Sequence, residues 1–212
     1  MIITIFGATG KVGKQIVKTC LNVGHTVRAY GRNVFTAAFR ENKSLELLPG
    51  TLFDEEAVYN AILGSDAVLS VIGGAMDGTD KSRSLGMKNI VQQMQRAGVD
   101  RIISVGGLGI LDDLTKVNGE LMMDSDNFPL HFYNVSKEHF EAYKHLAASN
   151  LKWTLLGAPE ILYEGPTGIY TTAANHPPET NHYHITSGDI ALFMVNELNN
   201  NEFVRERVGI SN

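Results

Sequence analysis

The sequence has very little cysteine, because Cys20 is the single one among 212 residues. One cysteine excludes an intramolecular disulfide and a zinc site built from several cysteines. No apolar run approaches the roughly 20 residues that a membrane-spanning helix needs. The apolar run at residues 1–6 is too short for a signal-peptide core and has no basic flank. These absences predict a cytoplasmic protein without a membrane partner.

The sequence also lacks an excess of positive charge. It holds 18 Lys and Arg against 23 Asp and Glu, a formal net charge of −5. Proteins that bind the phosphate backbone usually carry a basic surplus, so we expect no nucleic-acid partner. A hydrophobic content of 43% and a charged content of 19% are typical of an ordinary globular protein. The length predicts one domain over residues 1–212.

Short apolar runs alternate with helical patterns along the chain. This alternation, with strands apolar on both faces, predicts an α/β fold with a doubly wound parallel sheet. Ligands of such sheets bind beyond the carboxyl ends of the strands. The predicted strands are residues 2–6, 25–30, 45–48, 67–72, 101–105, 152–156 and 205–210. The predicted helices are residues 11–23, 54–63, 85–97, 135–149 and 188–198.

A glycine-rich loop joins the first predicted strand to the first predicted helix. Gly7, Gly10 and Gly13 have the spacing G-x-x-G-x-x-G. Gly7 permits a tight turn, Gly10 lets the backbone approach a pyrophosphate, and Gly13 lets the helix pack on the strand. A Walker A loop is excluded, because Val12 stands where that motif has Ser or Thr. The loop therefore predicts a dinucleotide cofactor.

The end of the second predicted strand favours NADP(H) over NAD(H). An NAD site usually has Asp or Glu there to hold the ribose 2′-OH. Here no acid is present, and Arg32 offers a guanidinium that can bind a 2′-phosphate. Arg28 is an alternative for that role.

With these features the chain resembles the atypical short-chain dehydrogenase/reductases with an NAD(P)H-binding domain, the NmrA-like family. Within that family it is most similar to the flavin reductase (biliverdin reductase B) type. The resemblance runs over nearly the whole chain. Its best segments are residues 7–13, 64–68, 97–103, 111–117, 151–156 and 188–191, together with Pro159.

The resemblance implies a Rossmann fold that binds NADPH and transfers hydride to a small flat acceptor such as a flavin or a quinone. It implies that Thr9, Gly10, Lys11 and Val12 hold the pyrophosphate and that Arg32 meets the 2′-phosphate. It also implies that Gly73 and Gly74 pass close to the cofactor and that Pro159 lies near the nicotinamide.

Two positions depart from the pattern of the relatives. Gly107 stands at the end of the fifth strand, where flavin reductases have a serine that faces the nicotinamide and the acceptor. We keep Gly107 among the positions expected at the cofactor. Thr51 stands where relatives often have an acid near the adenine. The missing serine leaves a second hypothesis open, a non-catalytic NADP(H) sensor of the NmrA-like type.

Tyr133 and Lys137 fit the Y-x-x-x-K spacing of the broad reductase superfamily. Residues at i and i+4 share one face of a helix, so both side chains can serve one site. Tyr133 would deliver a proton to a carbonyl acceptor, and Lys137 would favour the tyrosinate and hold the nicotinamide ribose. The alternative is a tyrosine packed at a helix start beside a solvated lysine.

The acceptor side of the site is expected in two long segments, residues 108–132 and 158–186. Tyr163 and Tyr170 are candidate stacking surfaces for a flat acceptor. His139 could line the site, although a packed or surface histidine is the alternative. We expect no metal site. The partner is expected to be a small molecule, and the protein a monomer or a small homo-oligomer.

Overall fold

In the computed structural model, which describes residues 1–116, 119–180 and 182–212, strands and helices alternate along the chain. The strands are β1 (Ile2–Phe6), β2 (Thr26–Gly31), β3 (Leu45–Pro49), β4 (Ala67–Ser70), β5 (Arg101–Gly107), β6 (Lys152–Ala158), β7 (Glu160–Leu162), β8 (Thr171–Ala174), β9 (His184–Thr186) and β10 (Glu206–Ser211). The α-helices are α1 (Lys11–Asn22), α2 (Glu55–Ile62), α3 (Ser82–Ala97), α4 (Leu130–Ala147) and α5 (Ser187–Asn200).

Eight strands form one large sheet in the order β3-β2-β1-β4-β5-β6-β10-β8. Neighbours pair in parallel except β8, which runs antiparallel to β10 at one edge. The chain moves outward from β1 to β3 on one side and then from β4 to β6 on the other, so the strand order reverses between β1 and β4. The predicted doubly wound parallel sheet is confirmed, with one antiparallel edge strand added.

Strand β1 shows why this sheet needs helices on both faces. Ile3 and Ile5 belong to one hydrophobic core, whereas Phe6 belongs to the core on the other face. Helices α1 and α5 pack together over the first face, and α3 packs with α2 and α4 over the second. Cys20 lies fully buried in the first core.

Two helices begin earlier than the apolar pattern predicts. Helix α3 begins at Ser82 rather than Leu85, and α4 begins at Leu130, directly after Pro129, rather than at Val135. The first turn of α4 is exposed, and Leu130 itself is 87% exposed. Because apolar periodicity reports only the buried face of a helix, it does not detect a turn that is largely exposed.

The two segments expected on the acceptor side contain more regular structure than predicted. Strands β7 and β9 form a small parallel sheet within residues 158–186, and β8 joins the large sheet. Residues 108–110 and 122–124 are short 3₁₀ turns. Strands of three or four residues carry too little pattern to be recognised alone. Val117 and Asn118 of the first segment and Asn181 of the second lie outside the described residues.

A buried carboxylate ties the second of these segments to α5. Asp189 is fully buried in the first turn of α5. It accepts hydrogen bonds from the backbone N–H groups of Thr167 and Gly168 and from the side chains of Thr186 and Asn212. Burial alone would raise the pKa of Asp189, but these hydrogen bonds bring it below its ordinary value. The loop at residues 164–169 is thus held against the helix.

A second buried charge lies at the opposite end of the sheet. The guanidinium of Arg101 at the start of β5 donates to Glu197 of α5 at 2.8 Å, with both side chains at least 93% buried. Glu197 also accepts from the backbone N–H of Phe203. This pair joins the sheet to α5 from the end away from the glycine loop.

Glu197→Gln should lower the free energy of unfolding by about 3–5 kcal/mol, because it leaves the Arg101 charge buried without its partner. Asp100→Asn is the matched control, since the Asp100–Lys152 pair is more than half exposed and such pairs contribute about 0–1 kcal/mol. Urea unfolding followed by circular dichroism measures both. Equal losses of unfolding free energy in the two variants would contradict a stabilising role of the buried Arg101–Glu197 pair.

Candidate cofactor site

The glycine-rich loop between β1 and α1 is closely packed where its glycines stand. Gly7 has a φ of +82°, and a Cβ on it would lie 2.5 Å from the Val71 carbonyl oxygen. A Cβ on Gly13 would overlap the carbonyl oxygen of Gly7 and the backbone of Ala8. Gly13 therefore brings the first turn of α1 directly against the loop, as the spacing predicts.

The N-terminus of α1 is open for an anion. Gly10 occupies the N-cap position, no side chain caps the helix, and the first turn holds no acidic residue. The first hydrogen bond within the helix is donated by the Lys14 N–H to the Gly10 carbonyl. The N–H groups of Lys11, Val12 and Gly13 point out of the helix end, which carries a partial positive charge. This arrangement fits the pyrophosphate of a dinucleotide.

A cavity of about 210 Å³ adjoins the loop at the carboxyl ends of the strands. It lies at the place where the strand order reverses, between β1 and β4. Of the predicted cofactor residues, it brings together Gly7, Thr9, Gly10, Arg32 and Gly73. Its lining is completed by Tyr30, Gly31, Gly50, Thr51, Leu52, Phe53, Val71, Ile72 and Ser82. A larger hollow of about 400 Å³ lies at the β3 edge, lined by residues 39–43, Leu45 and Leu47, and holds none of the predicted site residues.

The structure distinguishes Arg28, within β2, from Arg32, which directly follows it. Arg28 donates to the carbonyl oxygen of Leu63 at 2.7 Å and pairs with Glu46 at 3.2 Å, so its guanidinium is occupied. Arg32 lies exposed just beyond β2 and lines the cavity. Within the part of the chain that the structure describes, the Arg32 side chain has no hydrogen bond or ion pair. Arg32, and not Arg28, is therefore free to bind a ligand.

Sequence reasoning missed Phe53 as a site residue. Its side chain is 57% exposed and lines the cavity just after β3. An exposed aromatic face at this point offers a stacking surface for the adenine ring of a nucleotide. The rule that ligands lie beyond strand ends, applied to residues 51–53 after the weak third strand, would have found it.

Tyr30 supports the turn after β3, which lines this side of the cavity, from inside the protein. Its hydroxyl donates to the carbonyl oxygen of Thr51 at 2.8 Å, and a Cβ on Gly50 would overlap its ring. Burial, with a smaller contribution from Asp54, raises the pKa of Tyr30 to about 12. Tyr30 stays a neutral hydrogen-bond donor that holds the turn after β3 in place.

The loop after β4 is held by a buried arginine. Gly73 has open space around it, whereas the carbonyl oxygens of Gly74 and Ala75 each accept a hydrogen bond of 3.0 Å from Arg83 of α3. Arg83 is 6% exposed, and burial lowers the pKa of its guanidinium despite the nearby Asp80. The predicted cofactor residue Gly74 thus has its backbone position set by α3.

Tyr133 and Lys137 both lie on α4, on one face of the helix. The Lys137 Nζ lies 5.6 Å from the centre of the Tyr133 ring. Tyr133 is 37% exposed and Lys137 is exposed. Neither side chain lines the cavity described above.

The other predicted positions lie at the ends of β5 and β6. Gly107 is the last residue of β5 and pairs with Ala158, the residue before Pro159.

At the glycine loop, the Lys11 Nζ lies 4.0 Å from the centre of the Tyr163 ring. Tyr170 packs edge-on against Phe193 of α5. Of the two predicted stacking surfaces, Tyr163 thus faces the cofactor loop and Tyr170 contributes to packing.

The described residues contain no group of three or more His, Cys, Asp or Glu residues that could hold a metal ion. None of their helices combines the length and apolar character needed to cross a membrane.

Comparison with known proteins agrees with the glycine loop and the sheet. A family model described as NAD(P)H-binding matches residues 7–201. The uncharacterized protein YwnB of Bacillus subtilis is 26% identical over 98% of this chain and 96% of its own length. The photosystem II assembly factor Ycf39 of a Synechocystis strain is 26% identical, but over 49% of this chain and 32% of its own length.

Solved structures align over the whole chain. A provisionally named NADH-flavin reductase of Streptococcus pneumoniae has a TM-score of 0.83 and 26% identity, covering 100% of this chain and 99% of its own. A short-chain dehydrogenase/reductase of Veillonella parvula, solved in complex with NADP, has a TM-score of 0.78 and 19% identity over 100% and 94%. The second likeness shows the fold alone.

The chain belongs to the NAD(P)H-binding family, because the family model spans most of its length. The resemblance to the atypical short-chain dehydrogenase/reductases, inferred from the motifs, is confirmed.

Proposed function

We propose that this member of the NAD(P)H-binding family is an NADPH-dependent oxidoreductase that transfers hydride to a small flat acceptor, a flavin, a quinone or another carbonyl compound. The observation that carries the proposal is the pairing of an open helix N-terminus with a free Arg32 on one cavity. The helix N-terminus suits the pyrophosphate, and Arg32 suits the 2′-phosphate, which NADPH has and NADH lacks.

The roles of the residues follow from their positions. The backbone N–H groups of Lys11, Val12 and Gly13 would hold the pyrophosphate, with Thr9 and Gly10 forming the wall of the cradle. Arg32 would bind the 2′-phosphate. When bound, NADPH supplies a hydride, which an oxidised flavin takes up with one proton from solvent to give the dihydroflavin and NADP⁺.

The remaining cofactor residues would guide the cofactor towards the acceptor. Gly73 and Gly74 would line its path from the glycine loop towards β5. Gly107 and Pro159 would border the nicotinamide at the ends of β5 and β6. Residues 108–132 and 158–186 would form the acceptor side. We propose the cytoplasm, with its pool of reduced nicotinamide cofactors, as the place of this reaction.

A second candidate is a non-catalytic NADP(H) sensor. It is favoured by Gly107, which offers no hydroxyl where flavin reductases have a serine. A sensor would bind both oxidation states of the cofactor and signal through a protein partner.

The initial rate of NADPH oxidation with FMN separates the two candidates. The reductase should consume NADPH in proportion to protein concentration, and a sample without protein should not. Gly10→Asp is the matched control, because a carboxylate at the N-cap repels the negatively charged pyrophosphate and should abolish NADPH oxidation. NADPH binding by fluorescence without any consumption would favour the sensor or another acceptor.

Arg32→Glu should raise the dissociation constant of NADPH by about ten- to a hundredfold, because a charge-assisted hydrogen bond is replaced by repulsion. The dissociation constant of NADH should change far less. Arg40→Glu is the charge-matched control, since Arg40 is exposed and lies outside the cavity. Fluorescence titration with both nucleotides measures the constants, and an unchanged NADPH affinity in Arg32→Glu would contradict NADPH selection by this residue.

Tyr133 and Lys137 are proposed as a proton-donating pair for carbonyl acceptors. Tyr133→Phe should then lower kcat for reduction of an aromatic aldehyde by about a hundredfold or more, the usual contribution of general acid catalysis. FMN reduction should fall less, because its proton can come from solvent. Tyr59→Phe on α2 is the control. Equal kcat values for wild type and Tyr133→Phe would contradict the proposal that Tyr133 donates the proton.

A further inference from the structure

A cation–π contact joins the glycine loop to the segment that follows β6. The Lys11 Nζ lies over the Tyr163 ring, 4.0 Å from its centre. Lys11 is the first residue of α1, and Tyr163 directly follows β7. Both side chains are exposed, Tyr163 to 61%. Because core packing does not force the two side chains together, the attraction between the ammonium and the ring face accounts for the contact.

The ammonium of Lys11 keeps its charge available for a ligand. Among the residues that the structure describes, the Lys11 side chain forms no ion pair and donates no hydrogen bond. The first turn of α1 holds no acidic residue either. An aromatic face attracts a cation but carries no net charge of its own. The Tyr163 ring therefore holds the lysine side chain in place and leaves its ammonium able to meet an anion.

The backbone at Tyr163 is held from both sides. On one side, β7 pairs with β9. On the other side, the carbonyl oxygen of Glu164 accepts hydrogen bonds from the Ser187 hydroxyl at 2.9 Å and from the Gly188 N–H at 3.1 Å. A Cβ on Gly188 would overlap the backbone of residues 165–166, so the loop lies directly against the start of α5. The tyrosine ring therefore extends towards the glycine loop from a fixed base.

The Lys11–Tyr163 pair lies outside the cavity that Arg32 and Phe53 line. That cavity suits the adenosine end of the cofactor, whereas Tyr163 comes from the segment after β6, where the proposed function has the nicotinamide. The pyrophosphate connects these two ends at the N-terminus of α1. The Lys11 ammonium cannot lie farther from that helix end than the length of its own side chain. It is therefore within reach of the phosphate that leads to the nicotinamide.

We propose that Tyr163 is a positioning residue for the cofactor, because its ring holds the Lys11 ammonium at the pyrophosphate on the side that leads to the nicotinamide. This inference rests on the proposed function and deepens it, since it names how the nicotinamide half of NADPH is retained. The group recognised is the phosphate next to the nicotinamide ribose. Tyr163 acts on this phosphate through the lysine.

The dissociation constant of NADPH, measured by fluorescence titration, tests the pair. Lys11→Met removes the charge and should raise this constant about tenfold, the scale of one charge-assisted hydrogen bond. Tyr163→Leu removes the ring and should raise it about three- to fivefold, the scale of one exposed cation–π contact. Tyr163→Phe keeps the ring and should restore the constant to within twofold of wild type. Lys18→Met, at an exposed lysine farther along α1, is the charge-matched control.

The double variant Lys11→Met/Tyr163→Leu separates positioning from two independent contacts. If the ring acts through the ammonium, this variant should bind NADPH no more weakly than Lys11→Met alone. Losses that multiply would overturn the inference, because Tyr163 would then contact the cofactor without the lysine. An unchanged dissociation constant in Tyr163→Leu would overturn it too. So would a lower one, since the ring would then obstruct the cofactor.

A shorter ligand tests the side of the pyrophosphate on which the pair acts. Adenosine 2′,5′-bisphosphate carries the 2′-phosphate but lacks the second phosphate and the nicotinamide. Its dissociation constant should stay within twofold of wild type in both Lys11→Met and Tyr163→Leu. Losses as large as those for NADPH would contradict the inference, because they indicate a disturbed glycine loop.

The contact itself is measurable by NMR without any nucleotide. The face of an aromatic ring shields the protons above it, so the Lys11 Cε protons should resonate upfield in wild type and in Tyr163→Phe. The upfield shift should vanish in Tyr163→Leu, and Lys11→Met identifies the resonance. A wild-type protein without the shift would contradict the contact on which the inference depends.

The failure of the proposed function is distinguishable from the failure of this inference. If wild type binds NADPH but never reduces FMN, the reductase function fails, and the dissociation constants still decide the role of Tyr163. If NADPH is reduced in affinity only in Lys11→Met, with Tyr163→Leu equal to wild type, the reductase function stands and the positioning role falls.

Discussion

The site depends on the direct backbone contact between the first turn of α1 and the loop that precedes it. Gly13 has no Cβ, and one placed there would overlap the Gly7 carbonyl and Ala8. This contact sets the direction in which the helix end points. It places the uncapped N-terminus of α1, at Gly10, beside the cavity between β1 and β4, where the strand order reverses. A side chain at position 13 would move the helix and with it the proposed pyrophosphate site.

Two buried charged side chains hold the other loops of the proposed site in position relative to this loop. Arg83 sets the backbone after β4 through the carbonyl oxygens of Gly74 and Ala75. Asp189 fixes the loop at residues 164–169 against α5. Both charged groups are buried and hydrogen-bonded, so their contacts are costly to break and give the loops one arrangement. The two halves of the proposed site therefore lie on loops that are each tied to a helix.

Much of the fold was predictable because the strongest signals are local. The alternation of apolar runs with helical patterns predicted the parallel sheet, and the glycine spacing predicted the cofactor loop. The short strands β7, β8 and β9 were missed because three or four residues carry no period, and their pairing partners are distant in the chain. The early start of α4 was missed because its first turn is exposed and shows no apolar face.

The sequence by itself determined the fold class, the family and the dinucleotide loop, since each of these follows from residue type and spacing within a short segment. Only the tertiary structure decided which arginine is free, because Arg28 is occupied by Glu46 and by carbonyl groups some 30 residues away in the chain. It likewise brought His139 to Gly107, which precedes it by 32 residues, and Phe53 to the cavity of the glycine loop. These contacts depend on how distant segments pack, so no local sequence pattern predicts them.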